Sequence, residues 1–304
     1  MSRYVTVGAV SHARHLTYSV DEAAPFFEFN EPYIKRAGLM GVEMLAFPEV
    51  YYRPDGPSAE VAEEIGGQSS SWAMEMARKY DMYIVWPMLQ REGNTVWNSA
   101  LLIDRKGELV GVYHKMNPTK GEIEGGIRPG EEANVFETEY GKVGMAICFD
   151  LNFRNIFEGL RDNGAELVFF CSAYRGGKQL QAWAIELGVY IVAAIRAEVG
   201  RIIDLTGKVL EQSMYETLCR HRVNLNRRLL HMDYNWDKMD AMLEKYGTDL
   251  SFDYITEEAR YAIGSEREGL EIDDVIKEYG LMTLPEYWES SHRIREAALA
   301  RPRE

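Results

Sequence analysis

Between Arg3 and about residue 225 of this 304-residue chain, short strand-like and helix-like segments alternate, and hairpin signals interrupt them. That order constrains the fold more than any single residue does. "RYVTVGAV" (3–10) alternates polar and apolar residues with the period of two that a strand imposes. "DEAAPFFEFNEPYIKRAGLMG" (21–41) opens on Asp21 as a cap and ends in glycine, which predicts a helix. "VEMLAF" (42–47) is an apolar strand stopped by Pro48, and 57–81 reads as one or two helices before the strand "MYIVWPMLQRE" (82–92). "TVWNSALLID" and "LVGVYHK" flank Lys106-Gly107 as a hairpin would. The strands "GKVGMAICF" (141–149), "ELVFFCS" (166–172) and "VYIVAAIR" (189–196) are separated by the helices "RNIFEGLRDNGA" and "KQLQAWAIELG". A second hairpin, "GRIIDLTGKVLEQ", turns at Thr206-Gly207. Strand–helix units mixed with hairpins predict an α/β fold. Its sheet is mixed with helices outside, not a purely parallel doubly wound one.

The rest of the chain limits its partners and compartment. No apolar run reaches the roughly 18 residues a membrane helix needs, and the N-terminal stretch lacks a signal-peptide core, which argues against export. Cys148, Cys171 and Cys219 cannot all pair, so reduced thiols in a cytoplasmic setting are expected. No CxxC or histidine spacing suggests a metal, and no cofactor motif is present. A net charge of −14 argues against nucleic acid or an anionic membrane as partner. From Asn226 onward there are 18 acidic and 11 basic residues, a net of −7. "HMDYNWDKMDAMLEKYG" and "DDVIKEYG" in that stretch read as amphipathic helices with little core of their own. The chain therefore divides into a main domain, residues 1–225, and an acidic helical C-terminal extension, residues 226–304. The extension is expected to pack on the domain or on a partner subunit.

Three apolar strands end in reactive groups: "MLAFPE" at Glu49, "LVGVYHK" at Lys115 and "VGMAICFD" at Cys148. Strand ends on one side of a sheet converge where loops build sites. A thiol is mostly protonated near neutral pH, and its thiolate is the nucleophile. A carboxylate in reach can take the proton, and an ammonium can stabilise the oxygen charge that attack creates and favour the thiolate. Glu, Lys and Cys thus suffice in kind for acyl transfer to water. Singly, each has a plainer reading: a buried strand cysteine, a loop carboxylate, a solvated lysine. His114, Cys171 and Cys219 read as structural.

The ordered set "FPE" (47–49), "YHKMNPT" (113–119) and "ICFD" (147–150) resembles the nitrilase, or carbon–nitrogen hydrolase, superfamily, in its amidase- and carbamoylase-like branch. The resemblance continues through "GAELVFFCSAY", "WAIELGVYIVAAI" and "GRIIDLTGKVL", spanning roughly residues 4 to 225. It implies a four-layer α-β-β-α sandwich, extended by pairing into a homodimer or higher homo-oligomer. It implies Glu49 as general base, Lys115 as oxyanion-stabilising cation, Cys148 as nucleophile and the Phe149 N–H as a second oxyanion donor. A further glutamate is expected between lysine and cysteine. "KGEIEGGIRPGEE" offers Glu122 and Glu124, and the "IEGG" context favours Glu124.

Departures from the family pattern bear on substrate. Arg154 stands where many members have proline, and Phe149-Asp150 replaces the Trp-Glu of nitrile-cleaving members, which favours amides over nitriles. The loop "CSAYRGG" brings Tyr174 and Arg175 as substrate-contact candidates. Arg154, Arg175 or Arg128 could clamp a substrate carboxylate by bidentate hydrogen bonds. The expected activity is thiol-dependent hydrolysis of a small linear amide or N-carbamoyl compound, without cofactor. The alternatives are a nitrile hydrolase and a catalytically silent scaffold of the same fold.

Overall fold

The computed structural model describes residues 3–11, 23–196, 199–214 and 217–301. The chain divides into two compact units, Tyr4–Leu225 and Asn226 onward together with the N-terminal residues. Chain order in the first unit is β1 (Tyr4–Val10), α1 (Ala23–Leu39), β2 (Met44–Ala46), α2 (Ser58–Val61), α3 (Gln68–Tyr80), β3 (Tyr83–Glu92), β4 (Thr95–Ile103) and β5 (Leu109–His114). There follow α4 (Lys120–Glu124), β6 (Val135–Glu137), β7 (Lys142–Ile147), a 3₁₀ turn over Cys148–Asn152, α5 (Arg154–Asp162) and β8 (Leu167–Ser172). The unit closes with α6 (Lys178–Leu187), β9 (Tyr190–Ile195), β10 (Arg201–Ile203), β11 (Val209–Gln212) and β12 (Leu218–Asn224). The cap expected at Asp21 lies outside the described residues.

The strands form two six-stranded sheets, in the orders β12-β1-β2-β3-β4-β5 and β11-β10-β9-β8-β7-β6. Both follow one plan. Three parallel strands lie at the centre, β1-β2-β3 in one and β7-β8-β9 in the other, with antiparallel neighbours on both flanks. Alternate residues of each strand face opposite ways. Leu45, Ile84 and Trp86 pack under Phe26 and Ile34 of α1 and Met76 of α3. Val168, Phe170 and Ile191 pack under Phe157 of α5 and Leu180 of α6. The intervening residues, among them Val7, Ala9, Phe169 and Val192, are also fully buried, on the faces the two sheets turn toward each other. The layering is therefore α-β-β-α. Both hairpins form where expected, and Gly107 occupies a left-handed turn position with φ +77°.

The second unit comprises β13 (Arg227–His231), a 3₁₀ turn leading into α7 (Met239–Tyr246), β14 (Leu250–Ile255), β15 (Arg260–Ser265), α8 (Ile272–Glu278) and α9 (Leu284–Leu299). Helices α7 and α8 fall on the two segments that the sequence reads as helical, whereas α9, the longest of the unit, is not in that expectation. The three-stranded antiparallel sheet β13-β15-β14 does not appear in that expectation, nor does the apolar cluster it supports. Leu230, Tyr261 and Ile263 of the sheet pack with Met242 of α7 and Val275 of α8, so this unit has a core of its own. Among the described residues no helix is long and apolar enough to cross a membrane.

Candidate active site

Glu49 lies just beyond β2 and Lys115 directly after β5, both on the first sheet; Cys148 follows β7 on the second. The Lys115 ammonium is 2.7 Å from Glu49 Oε1 and 2.8 Å from Glu122 Oε2, with Lys115 1% and Glu49 6% exposed. Burial works to lower the Lys115 pKa, but the Glu49 charge and the hydrogen bonds to both carboxylates outweigh it and hold the ammonium above the ordinary lysine range. Burial works to raise the Glu122 carboxyl, and Lys115 overrides it, so Glu122 is held below its usual range.

Asn98, buried on β4, completes this group. Its Nδ2 donates to Glu49 Oε1 at 2.9 Å and to Glu122 Oε1 at 2.8 Å, and its backbone carbonyl accepts from Lys115 N at 2.8 Å. One amide has two N–H donors, and each carboxylate receives one. Two carboxylates beside a single ammonium are thereby kept hydrogen-bonded, without which burial would be costly.

The backbone at Cys148 is left-handed, with φ +48°, a conformation costing a side-chain-bearing residue about 1–2 kcal/mol. Asp150 holds that turn. Its Oδ2 accepts from Ile147 N at 2.9 Å and Tyr113 Oη at 2.8 Å, and its Oδ1 accepts from Asn117 N at 2.8 Å. One carboxylate thus ties the Cys148 turn to the strand end that carries Lys115. Burial raises the Asp150 carboxyl to about 6 against these hydrogen bonds.

The Cys148 thiol lies within electrostatic range of Glu49, Lys115 and the Ala173 N–H. Burial first, then the Glu49 charge, pushes the thiol up to about 11, and Lys115 only partly offsets this. Lys115 favours the thiolate, as expected, but burial and Glu49 outweigh it, so the thiol is protonated near neutral pH.

The structure brings together Glu49, Lys115 and Cys148. It does not bring Glu124, which the sequence reading favoured. Glu124 is exposed at the end of α4 beside Lys120, at 3.6 Å. Glu122 occupies the position beside Lys115 because it closes a capping box. Thr119 Oγ1 accepts from Glu122 N, and the Glu122 carboxylate turns back to accept from Thr119 N at 2.7 Å. The signal was present in Thr119-x-x-Glu122.

Phe149 is half-buried, edge-on to Phe153, directly after Cys148. Tyr174 lies near Cys148, its hydroxyl raised to about 12 by burial and then by the thiolate charge. The arginines proposed as clamps are on the surface. Arg154 pairs with Glu158 at 2.8 Å, Arg128 pairs with Glu131 at 3.1 Å, and Arg175 is exposed. His114 bonds Ser99 at 2.9 Å and stacks on Trp97, a structural placement.

Sequence reading missed Asn98 and Arg196. Asn98 interrupts the face formed by Val96, Ala100 and Leu102, which is the trace it leaves. Arg196 ends the apolar strand β9, the same design that identified the other reactive groups. Its Nη2 donates to the backbone carbonyls of Glu49 and Val50, the latter at 3.1 Å.

A four-layer sandwich with a thiol, a carboxylate and an ammonium at its strand ends defines the carbon–nitrogen hydrolase class. The sequence model of the Carbon-nitrogen hydrolase family matches residues 11–227, and the chain belongs to that family. It is 31% identical over 200 residues to beta-ureidopropionase of Arabidopsis thaliana, covering 60% of this chain and 49% of that protein. It is 34% identical over 171 residues to deaminated glutathione amidase of Yersinia enterocolitica, covering 46% of this chain and 59% of that protein. The omega-amidase NIT2 of Danio rerio is 27% identical over 179 residues, covering 53% and 65%. The chain thus spans about half to two thirds of the length of these relatives. Among solved structures, a carbon-nitrogen hydrolase from Helicobacter pylori aligns with a TM-score of 0.66 at 16% identity, covering 81% of this chain and 94% of that one. An amidase from Nesterenkonia sp. aligns at 0.63 and 20% identity, covering 81% and 97%. These two likenesses are of fold.

Proposed function

We propose that the protein hydrolyses the C–N bond of a small linear amide or N-carbamoyl compound through a Cys148 thioester. The observation that carries this reading is the buried group at the strand ends, in which Glu49 lies 2.7 Å from the Lys115 ammonium and both charges act on the Cys148 thiol. The names of the relatives, two amidases and a ureidopropionase, support the substrate class.

Glu49 takes the thiol proton as sulfur attacks the carbonyl carbon, which a thiol raised to about 11 requires near neutral pH. The carbonyl oxygen becomes an oxyanion facing Lys115 and the Phe149 N–H. As it collapses, the proton held by Glu49 passes to the leaving nitrogen, the C–N bond breaks, and ammonia or an amine departs. Water then gives a proton to Glu49 and attacks the thioester carbon. The acid leaves, and the proton returns to sulfur. Glu122 and Asn98 keep Lys115 and Glu49 in place through both halves.

Cys148→Ala should lower kcat on the best substrate by at least about 10³-fold while thermal melting is unchanged. Turnover near the wild-type rate in that variant would sink the reading. Screening ammonia release from amides, carbamoyl amino acids and nitriles identifies the class. Carbon dioxide released with ammonia marks a carbamoyl substrate, and ammonia alone a simple amide.

A further inference from the structure

Cys148 heads a 3₁₀ turn whose left-handed backbone, φ +48°, needs support from outside itself. On its own side of the sandwich the turn is anchored by α6: Leu151 O accepts from Gln179 Nε2 and from Trp183 Nε1, both at 2.9 Å. Neither of those bonds titrates. The tie to the other sheet runs through Asp150. Its carboxylate accepts from Tyr113 Oη at the end of β5 at 2.8 Å and from Asn117 N at 2.8 Å, while holding Ile147 N of β7 at 2.9 Å. Lys115 lies midway between the two residues gripped on that side, Tyr113 and Asn117.

Asp150 and Tyr113 are both fully buried. Oδ2 takes two of the three donors and Oδ1 the third, so both oxygens serve as acceptors. An ionised carboxyl only accepts, whereas a protonated one must also donate. A proton on Oδ1 opposes the Asn117 N–H. One on Oδ2 weakens the acceptor that Ile147 N uses, even if the Tyr113 hydroxyl turns to receive it. Tyr113 and Lys115 act on the carboxyl to favour its ionised form, against burial, which raises it to about 6. Tyr174, on the loop after β8, is opposed in its own ionisation by the Asp150 charge. Of the other titratable groups on neighbouring elements, Cys148 shares the turn, Cys171 of β8 is a buried thiol pushed up by burial, and Arg154 at the start of α5 is at the surface with Glu158.

We propose that ionised Asp150 is a positioning residue for the Cys148 reaction: it holds the Cys148 turn against the strand end that carries Lys115, and its protonation sets the acid limit of turnover. Protonation loosens the grip on Ile147 or on the Tyr113–Asn117 segment, so Cys148 and Lys115 lose register while the α6 anchor keeps the turn folded. Misplacing reacting groups by about 1 Å costs about 10²-fold in rate. This inference rests on the C–N hydrolase reading, and its test separates the two.

On the amide that the wild-type protein hydrolyses fastest, kcat/KM should fall with acid around a midpoint of about 6. Tyr113→Phe removes a donor that favours the ionised carboxyl, so Asp150 titrates higher and the midpoint should rise by about one pH unit. Asp150→Asn carries no charge at any pH. Its kcat at neutral pH should lie about 10²-fold below wild type, and the acid fall should be gone. Gln179→Leu loosens the turn from the α6 side and should leave the midpoint in place. A midpoint that stays put in Tyr113→Phe, or an acid fall that survives in Asp150→Asn, would assign the acid limit to another group and overturn the proposal. Independently of turnover, NMR of isotope-labelled protein should show the Ile147 and Asn117 amide resonances moving together with pH, around the wild-type midpoint and around a higher one in Tyr113→Phe. That joint titration with no amide hydrolysed would overturn the hydrolase reading and leave the Asp150 tie standing. Hydrolysis with both resonances indifferent to pH would overturn the tie and leave the function standing.

Discussion

Glu49 acts in opposite directions on its two partners. Its charge supports the Lys115 ammonium and opposes ionisation of the Cys148 thiol. The sign of one variant follows. Glu49→Gln removes a negative charge beside sulfur, so the thiolate should appear at lower pH than the wild-type value of about 11. The same change removes the base and should lower kcat by about 10²–10⁴-fold. Ultraviolet titration of thiolate absorbance reads the first effect, and a titration that stays put or moves upward would refute the arrangement. Cys148, Glu49 and Lys115 were legible only as a set: each follows an apolar run and has a plainer reading singly, and it is their order along the chain that resembles the family pattern. Asn98 and Arg196 were harder to read. The function of Asn98 depends on two carboxylates that are 49 and 24 residues away. The hydrogen bonds of the Arg196 guanidinium run to carbonyls about 147 residues away. Glu124 was preferred to Glu122 on local context, whereas the capping geometry of α4 decides which carboxylate turns back toward Lys115.

Helices α1, α3, α5 and α6 and the central strands were readable because each carries its full periodicity. The missed strands have one physical reason in common. On β12, Arg220 and Arg222 are exposed while Cys219 and Val223 are buried, so an edge strand wetted on one face reads as polar. In the C-terminal unit, "SFDYI" and "RYAIGS" flank a short turn with strand-like alternation, but the acidic composition around them hides it. Edge strands also set the tolerances of the sandwich. A Cβ on Gly111 of β5 would lie 2.1 Å from the Phe136 ring of β6, so the two sheets approach closely there. Gly111→Ala should destabilise the protein by about 1–3 kcal/mol through overpacking. Gly121, inside α4, has open space around it, and Gly121→Ala should stabilise by about 0.5–1 kcal/mol. Melting temperatures of the two variants should move in opposite directions, and a common direction would contradict the packing described.

At a larger scale, Glu49 and Lys115 come from one sheet and Cys148 from the other, so neither sheet alone holds the group. The first sheet is also the last to be completed. Its strand β12 pairs with β1 in a register from Tyr4↔Asn224 to Val10↔Leu218, joining partners roughly 200 residues apart. Closing so long a loop is slow compared with forming the neighbouring pairs β7-β8 and β8-β9. In refolding followed by pulsed hydrogen exchange, the amides of β7, β8 and β9 should gain protection before those that β1 and β12 share. Protection of the β1–β12 ladder in the earliest phase would contradict this order. The same register has a meaning during synthesis. A growing chain acquires Cys148 and the sheet around it well before the strand that seals the other half has left the ribosome. The thiol is therefore made early and enclosed late, and it spends the interval on a partly built protein.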